Sequence, residues 1–345
     1  MDQVMSKFSS PFNLQFGALS RQLSGAGLLA VLTLCAGTAQ AQVAGTGSSL
    51  VRDLMTTWTG QYGASVGGAS YEPTGSSVGV AKASDGSVDF GVSDVPLTGA
   101  ALRQAGLRQL PLVGAAVAVV INLPELAGKS LKLNGDILAD IYQGSITQWN
   151  HSQIVGLNPG LALPNKAIVP IWRADGSGQS YIFSTYLARA NSKWRRNISS
   201  TSNLNLSVGS GVRGGQAMLD TVKTTPGAIG YEPLGAAQRA GLSVAELQNA
   251  AGKSVAPSTA SISAALDSAQ WSQDANAADL DGSAGAGAYP MAAVAYALVP
   301  AVPKAGRKSA LPFMQAAVGQ GDAQARQAGF VPLSGKGKAI VAETR

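Results

Sequence analysis

Residues 172–189 read WRADGSGQSYIFSTYLAR. Arg173 stands two residues before Asp175, and Gly176, Ser177 and Gly178 lead into a stretch with helical spacing. The first N–H groups of a helix have no intrahelical acceptor, so a glycine–serine turn at its start can cradle an anion. Arg173 suits that role, because its planar fork matches the geometry of an oxyanion. Asp175 is the puzzle, since a carboxylate repels what the cradle attracts. Three other segments share this make-up. Gly45-Thr46-Gly47-Ser48-Ser49-Leu50 is a loop before a helix through Trp58, and Gly75-Ser76-Ser77-Val78-Gly79 opens a second helix. Val88 to Pro96 is a strand ending in Ser93-Asp94. Singly, each reads as an N-cap or a turn. Together they suggest amides and hydroxyls gathered on one small anion.

The remaining composition argues against most other chemistry. His151 is the only histidine and follows Trp149-Asn150 in a polar turn, where a solvated loop residue is expected. Cys35 is the only cysteine. Ser-His nucleophiles and His-rich zinc sites therefore lack their parts, and no enzyme activity, metal or cofactor is expected. Basic residues cluster at Lys193, Arg195 and Arg196, at Lys304, Arg307 and Lys308, and at Lys336 and Lys338. Only Trp194 interleaves an aromatic ring with them, so no nucleic-acid partner is expected.

Met1 to Ala41 carries Lys7 and Arg21, an apolar run from Leu28 to Leu34, and Ala39-Gln40-Ala41. This is the layout of a cleaved secretory signal peptide, and the run is too short to span a bilayer. Cys35 would leave with it, since the bulky Leu34 makes a poor lipoprotein signal. The formal charge of +6 from 25 basic and 19 acidic residues would fall to +5, because Asp2, Lys7 and Arg21 are lost. A mature chain of this length, without disulfides, needs an ordinary apolar core and accommodates two lobes.

The elements that must position the anion residues follow an α/β pattern. Leu112 to Ile121 is continuously apolar and valine-rich, as in a strand buried on both faces. Asn134 can cap a helix whose Ile137, Leu138, Ile141 and Tyr142 share one side. Ala167 to Trp172 reads as a strand delivering the Arg173 turn at its C-terminal end, where open α/β sheets bind ligands. Gln179 to Arg189 continues as helix, with Ile182, Phe183, Tyr186 and Leu187 on the buried side. Ser207 to Gly215 is a further glycine loop before a helix from Gln216 to Val222. Pro226 to Tyr231 is turn then strand, Asp279 to Gly287 a loose loop, and Met291 to Val299 another buried strand.

Several strings carry a family resemblance: VDFGVSDVPL, GDILADIYQGSITQWN, the run from Leu157 to Ala188 containing RADGSGQ, and PGAIGYEP. They resemble the periplasmic phosphate-binding proteins of high-affinity phosphate ABC transporters. The likeness is dense over residues 43–235 and thinner over 236–345. It implies two α/β lobes with mixed sheets flanked by helices, of the type II-like periplasmic binding fold, closing on a ligand in the interlobe cleft. Matched positions imply lobe I at 42–121 plus 291–345 and lobe II at 122–290, with crossings near Ile121-Asn122 and Pro290-Met291. They also imply phosphate contacts from Ser49, Leu50, Ser76, Asp94, Arg173, Ser177, Gly178 and Gln179. Asp175 braces Arg173. Asp94 would accept the proton that phosphate still owns and sulfate lacks. One charge-assisted bond contributes ~1.5–3 kcal/mol, and repulsion in its place costs as much again, enough for roughly thousand-fold discrimination. The family commonly has Thr and Phe where Ser49 and Leu50 stand, and Thr where Gln179 stands. Retained binding with altered affinity is the expectation. The implied partners are inorganic phosphate and inner-membrane permease subunits, for a monomer in the periplasm or secreted.

Other readings remain open at this point. One is a secreted phosphate-binding surface protein or adhesin without transport, and another a paralogue for a different oxyanion. Gly209-x-Gly211-x-x-Gly214, with Glu232 beyond it, also matches a dinucleotide fingerprint, though a lone match is weak. An exported phosphatase would need metal ligands or an assisted nucleophile that the chain lacks.

Overall fold

The computed structural model of the protein describes residues 42–126, 128–280 and 285–345. The expected leader, Met1 to Ala41, lies outside them, as do residues 281–284 of the expected loop from Asp279. Among the described residues no helix is long and apolar enough to cross a membrane.

Four strands open the main sheet: β1 (Val43–Gly47), β2 (Ala69–Glu72), β3 (Phe90–Ser93) and β4 (Leu107–Ile121). The order across the sheet is β2, β1, β3, Ala292–Pro300, β4, Ala228–Pro233, Val169–Arg173 and Ser210–Val212. β1 runs parallel to both β2 and β3. The Val169–Arg173 strand is likewise parallel to both its neighbours. Antiparallel pairing occurs around β4, which bonds to Ala292–Pro300 along Leu107 to Ala116 and to Ala228–Pro233 along Val117 to Ile121. One long strand thus belongs to both halves of the sheet.

The sequence of β4 explains how it can do so. Its residues are buried throughout except Arg108, because neighbouring strands flank it and helices cover it. Pro111 lacks an N–H and would break a regular ladder, and the register shifts opposite it between Ala295 and Tyr296. The strand starts five residues before the apolar run that marks it in the sequence. Arg108 and Gln109 hide this start, but Gln109 is buried with its amide satisfied: Nε2 donates to the Ala275 carbonyl, and Oε1 accepts from Leu97 N–H.

Helices begin where the glycine and serine turns end. The helices α1 (Arg52–Tyr62) and α2 (Ser76–Ser84) follow β1 and β2. Asn134 Oδ1 accepts from Ile137 N–H at 2.9 Å and starts the Gly135–Tyr142 helix. Ser177 caps the Gly178–Ala190 helix, which buries Ile182, Phe183, Tyr186 and Leu187. Four expectations need correction. Gly45 to Gly47 are the end of β1 and not loop. Ser210–Val212, placed in a loop, is an edge strand too short and glycine-rich to leave a pattern. Asp279 belongs to a two-residue strand paired with Gln270–Trp271. His151 is the half-buried cap residue of the Ser152–Leu157 helix, its Nδ1 accepting from Gln153 N–H.

Candidate functional site

Arg173 ends its strand fully buried, an expensive place for a guanidinium unless its N–H groups are matched. Asp175 matches them. Nε donates to Oδ1 at 2.7 Å and Nη2 to Oδ2 at 2.5 Å, a bidentate fork. Gly214 N–H donates to the same Oδ1 at 3.1 Å. Burial pushes the Asp175 carboxyl up, but the bonds and charge of Arg173 and the Gly214 bond outweigh it, so it is held below the usual carboxylate range. The backbone is fixed as well: Arg173 N–H donates to Tyr231 Oη at 3.0 Å, and that hydroxyl also bonds Ser180 Oγ. The Tyr231 ring stacks on Phe183 at 4.4 Å, so the start of the helix and the end of the strand share one rigid base.

The remaining arm of Arg173 points across the cleft. Nη1 donates to Ser49 Oγ at 3.1 Å and to Gln179 Oε1 at 3.3 Å, while Gln179 Nε2 donates to Ser49 Oγ at 3.4 Å. Leu50 turns its side chain into the core, and its N–H donates to Ser48 Oγ at 3.0 Å. That amide, expected to face a ligand, is engaged within its own turn.

Opposite Arg173 stands Asp94, also buried. Its Oδ2 accepts from Ser48 Oγ at 2.6 Å and from Ser76 Oγ at 3.2 Å. Its Oδ1 is buried and has no partner among the described residues. Desolvation raises this carboxyl to about 6, against the opposing pull of the two serines and of Arg173. It is therefore mostly ionised at neutral pH, with one acceptor oxygen committed and the other free. Gly178 reaches this pair from the far side. A Cβ there would overlap Asp94 Oδ2 and Ser76 Oγ, so only glycine allows the approach. Ser177 is buried beside it. Its N–H donates to the Ser202 carbonyl at 3.0 Å and its hydroxyl accepts from Ser180 N–H.

The nine expected residues thus gather around Arg173 and Asp94, although Leu50 turns away from them into the core. The helices starting at Arg52, Ser76, Gly178 and Gly215 begin around it, and their positive ends offset the carboxylates there. Bonds also cross the cleft: Ser77 N–H to the Gly176 carbonyl at 3.2 Å, Arg52 Nη2 to Gln216 Oε1 at 3.2 Å, and an exposed Asp53–Arg239 ion pair. The sequence reading missed Ser48 as the partner of Asp94, although two adjacent serines after a glycine were its signal. It also missed Tyr231 and the Gly214 N–H, which carry no local signal. The dinucleotide reading of Gly209 to Gly214 fails, because a strand lies inside the motif where a turn between strand and helix is needed. Among the described residues no group of three His, Cys, Asp or Glu side chains could hold a metal ion.

A family model described as the PBP superfamily domain matches residues 36–316. The phosphate-binding protein PstS of Xylella fastidiosa is 36% identical over 303 residues, covering 86% of this chain and 82% of the relative. Among solved structures, a high affinity periplasmic phosphate-binding protein, PfluDING, bound with phosphate, aligns with a TM-score of 0.67 at 21% identity, over 87% of this chain and 93% of its own. A putative phosphate ABC transporter substrate-binding protein from Clostridium perfringens, with bound phosphate, aligns with a TM-score of 0.59 at 17% identity, over 85% of this chain and all of its own.

Proposed function

The chain belongs to the PBP superfamily, among the phosphate-binding proteins named PstS, and from that premise we propose that it captures inorganic phosphate and delivers it to the permease of an ABC transporter. One observation carries the ligand choice: a braced guanidinium faces a buried carboxylate with an unpartnered oxygen. Arg173, through Nη1, supplies charge, with hydroxyls of Ser49 and Ser177 and the N–H groups of Gly178 and Gln179 as further donors, and Ser76 joins them by turning its one hydroxyl proton from Asp94 to the ion. Asp94 Oδ1 accepts the ligand's proton. Phosphate satisfies both demands, whereas sulfate has no proton to give and would meet the carboxylate unshielded. Asp175 acts through Arg173 and needs no contact with the ion. Leu50 contributes its amide once Ser48 Oγ turns away from it.

The fold is two-lobed, and we place lobe I at 42–121 with 291–345 and lobe II at 122–290. The support is that β4 passes from one set of strands to the other, although its pairing changes after Ala116 and so ahead of the bound placed at 121, and that the Arg52–Gln216 and Asp53–Arg239 bonds join one set of residues to the other. Closing on the ion would bring the faces of both lobes together, a surface that a permease can read as loaded. The protein acts as a monomer, outside the inner membrane, and binds without transforming its ligand.

Titration calorimetry with phosphate, arsenate and sulfate tests the assignment. Phosphate and arsenate should bind comparably and sulfate at least a hundredfold more weakly. Equal affinity for sulfate would overturn it.

A further inference from the structure

A third carboxyl lies at the site and takes no part in the proposed phosphate contacts. Glu232, in the Ala228–Pro233 strand, is 2% exposed, and its Oε1 has no hydrogen-bond partner among the described residues. Its position is fixed by Gly215, the first residue of the Gly215–Thr224 helix. A Cβ on Gly215 would lie 3.0 Å from Glu232 Oε2, 3.3 Å from Oε1 and 3.6 Å from Arg173 Nη1. The carboxyl and the ligand-facing arm of Arg173 therefore flank the same point without being bonded to each other. The other arm is already committed to Asp175. An ionised Glu232 and a bound anion would want the same N–H groups.

We propose that Glu232 sets the affinity of this site as an internal competitor: its carboxylate, when ionised, draws on the Nη1 arm of Arg173, so that anion capture selects the protein with Glu232 neutral and takes up a proton. This rests on the phosphate reading. The balance is simple: phosphate dianion, ionised Glu232 and one proton from solvent give the complex with a neutral Glu232. A neutral carboxyl in a dry site can also donate a hydrogen bond, which an anion accepts.

The neighbours leave Glu232 as the group that titrates in mildly alkaline solution. Burial raises it to about 8, against the attraction of Arg173 and Arg52, with Asp175 adding to the rise. Asp175 is held low and Asp94 rises only to about 6, so both are ionised throughout that range. Tyr231 is raised above its ordinary value and stays neutral. The facing helix contributes Gly215, and β4 places Ala118 opposite Glu232, neither of which titrates.

Phosphate affinity of the full chain and of E232Q, measured by calorimetry at pH 7.5, 8.5 and 9.5, tests the proposal. For a group titrating at about 8, the competent fraction falls from about three quarters to about one thirtieth between the end points, so Kd should rise roughly 25-fold. In E232Q the ratio of the two Kd values should stay under about threefold, and E232A provides the same comparison should E232Q not fold. Runs in two buffers of different ionisation enthalpy at pH 8.5 should show the native chain taking up about 0.8 of a proton more than the variant. Equal weakening of both proteins, or no weakening of the native chain, overturns the proposal. Binding at pH 7.5 with a flat profile leaves the phosphate reading standing, whereas no binding at pH 7.5 removes both.

Discussion

The Asp175→Asn substitution isolates the brace behind Arg173. The wild-type carboxylate makes two charge-assisted bonds to a fully buried guanidinium and a third to Gly214 N–H. Its side chain is only 15% exposed, so water can replace little of this. Asn keeps one acceptor oxygen but turns an amide donor toward another donor. Breaking one side of a buried pair costs ~3–5 kcal/mol, and the lower end applies because one bond can persist. Unfolding entropy of ~2.1 cal/mol/K per residue over about 300 residues converts ~3 kcal/mol into a fall in Tm of about 5 °C. Calorimetry of the ligand-free protein at pH 7 reads this directly. The sign of the pH effect is also fixed. A depressed carboxylate stabilises above its unfolded pKa and loses that contribution as pH falls through its folded pKa, so the gap between the proteins should close in strong acid. Phosphate and sulfate should weaken by similar factors, since the proton acceptor Asp94 is untouched. A Tm change under 1 °C, or loss of phosphate binding alone, would refute the brace.

Three further outcomes are expected. Asp94→Asn replaces an acceptor-only group by one that can donate, so calorimetry should show sulfate gaining relative to phosphate; an unchanged ratio would mean that Asp94 does not read the proton. In the ligand-free protein, Glu232 and Asp94 titrate above their ordinary values, so the folded state holds protons that the unfolded state has released, and stability should fall as pH rises toward 8 and just beyond. Thermal scans from pH 6 to 9 should show this fall, and E232Q should flatten its alkaline part; equal slopes would rule out Glu232 as the cause. Phosphate should reduce the radius of gyration in solution scattering without changing the molecular mass, and an unchanged radius in a saturated sample would exclude closure of the two lobes.

What was legible in the sequence was local or periodic. Arg173 and Asp175 are two residues apart at a strand end, and Ser177 caps the helix that follows, so their grouping is set by proximity along the chain. The helix after Asn134 and the apolar run of β4 were marked by period and by a cap. The start of β4 was not, because Gln109 is buried through bonds to Ala275 and Leu97 that no pattern encodes. Ser48 and Ser49 are indistinguishable by type. The turn after β1 aims the first at Asp94 and the second at Arg173.

The sequence by itself determined the inventory: the guanidinium, the carboxylates, the hydroxyls, the helix starts and the family strings that imply phosphate. Tertiary structure alone decided the charges. Asp94 and Glu232 are ordinary acids in a list of residues, and burial beside one arginine makes one a proton acceptor near neutrality and the other a neutral acid. Desolvation depends on everything packed around a group, including Gly178 and Gly215 lying far from both acids along the chain. A linear pattern carries spacing and type, but it carries no dielectric.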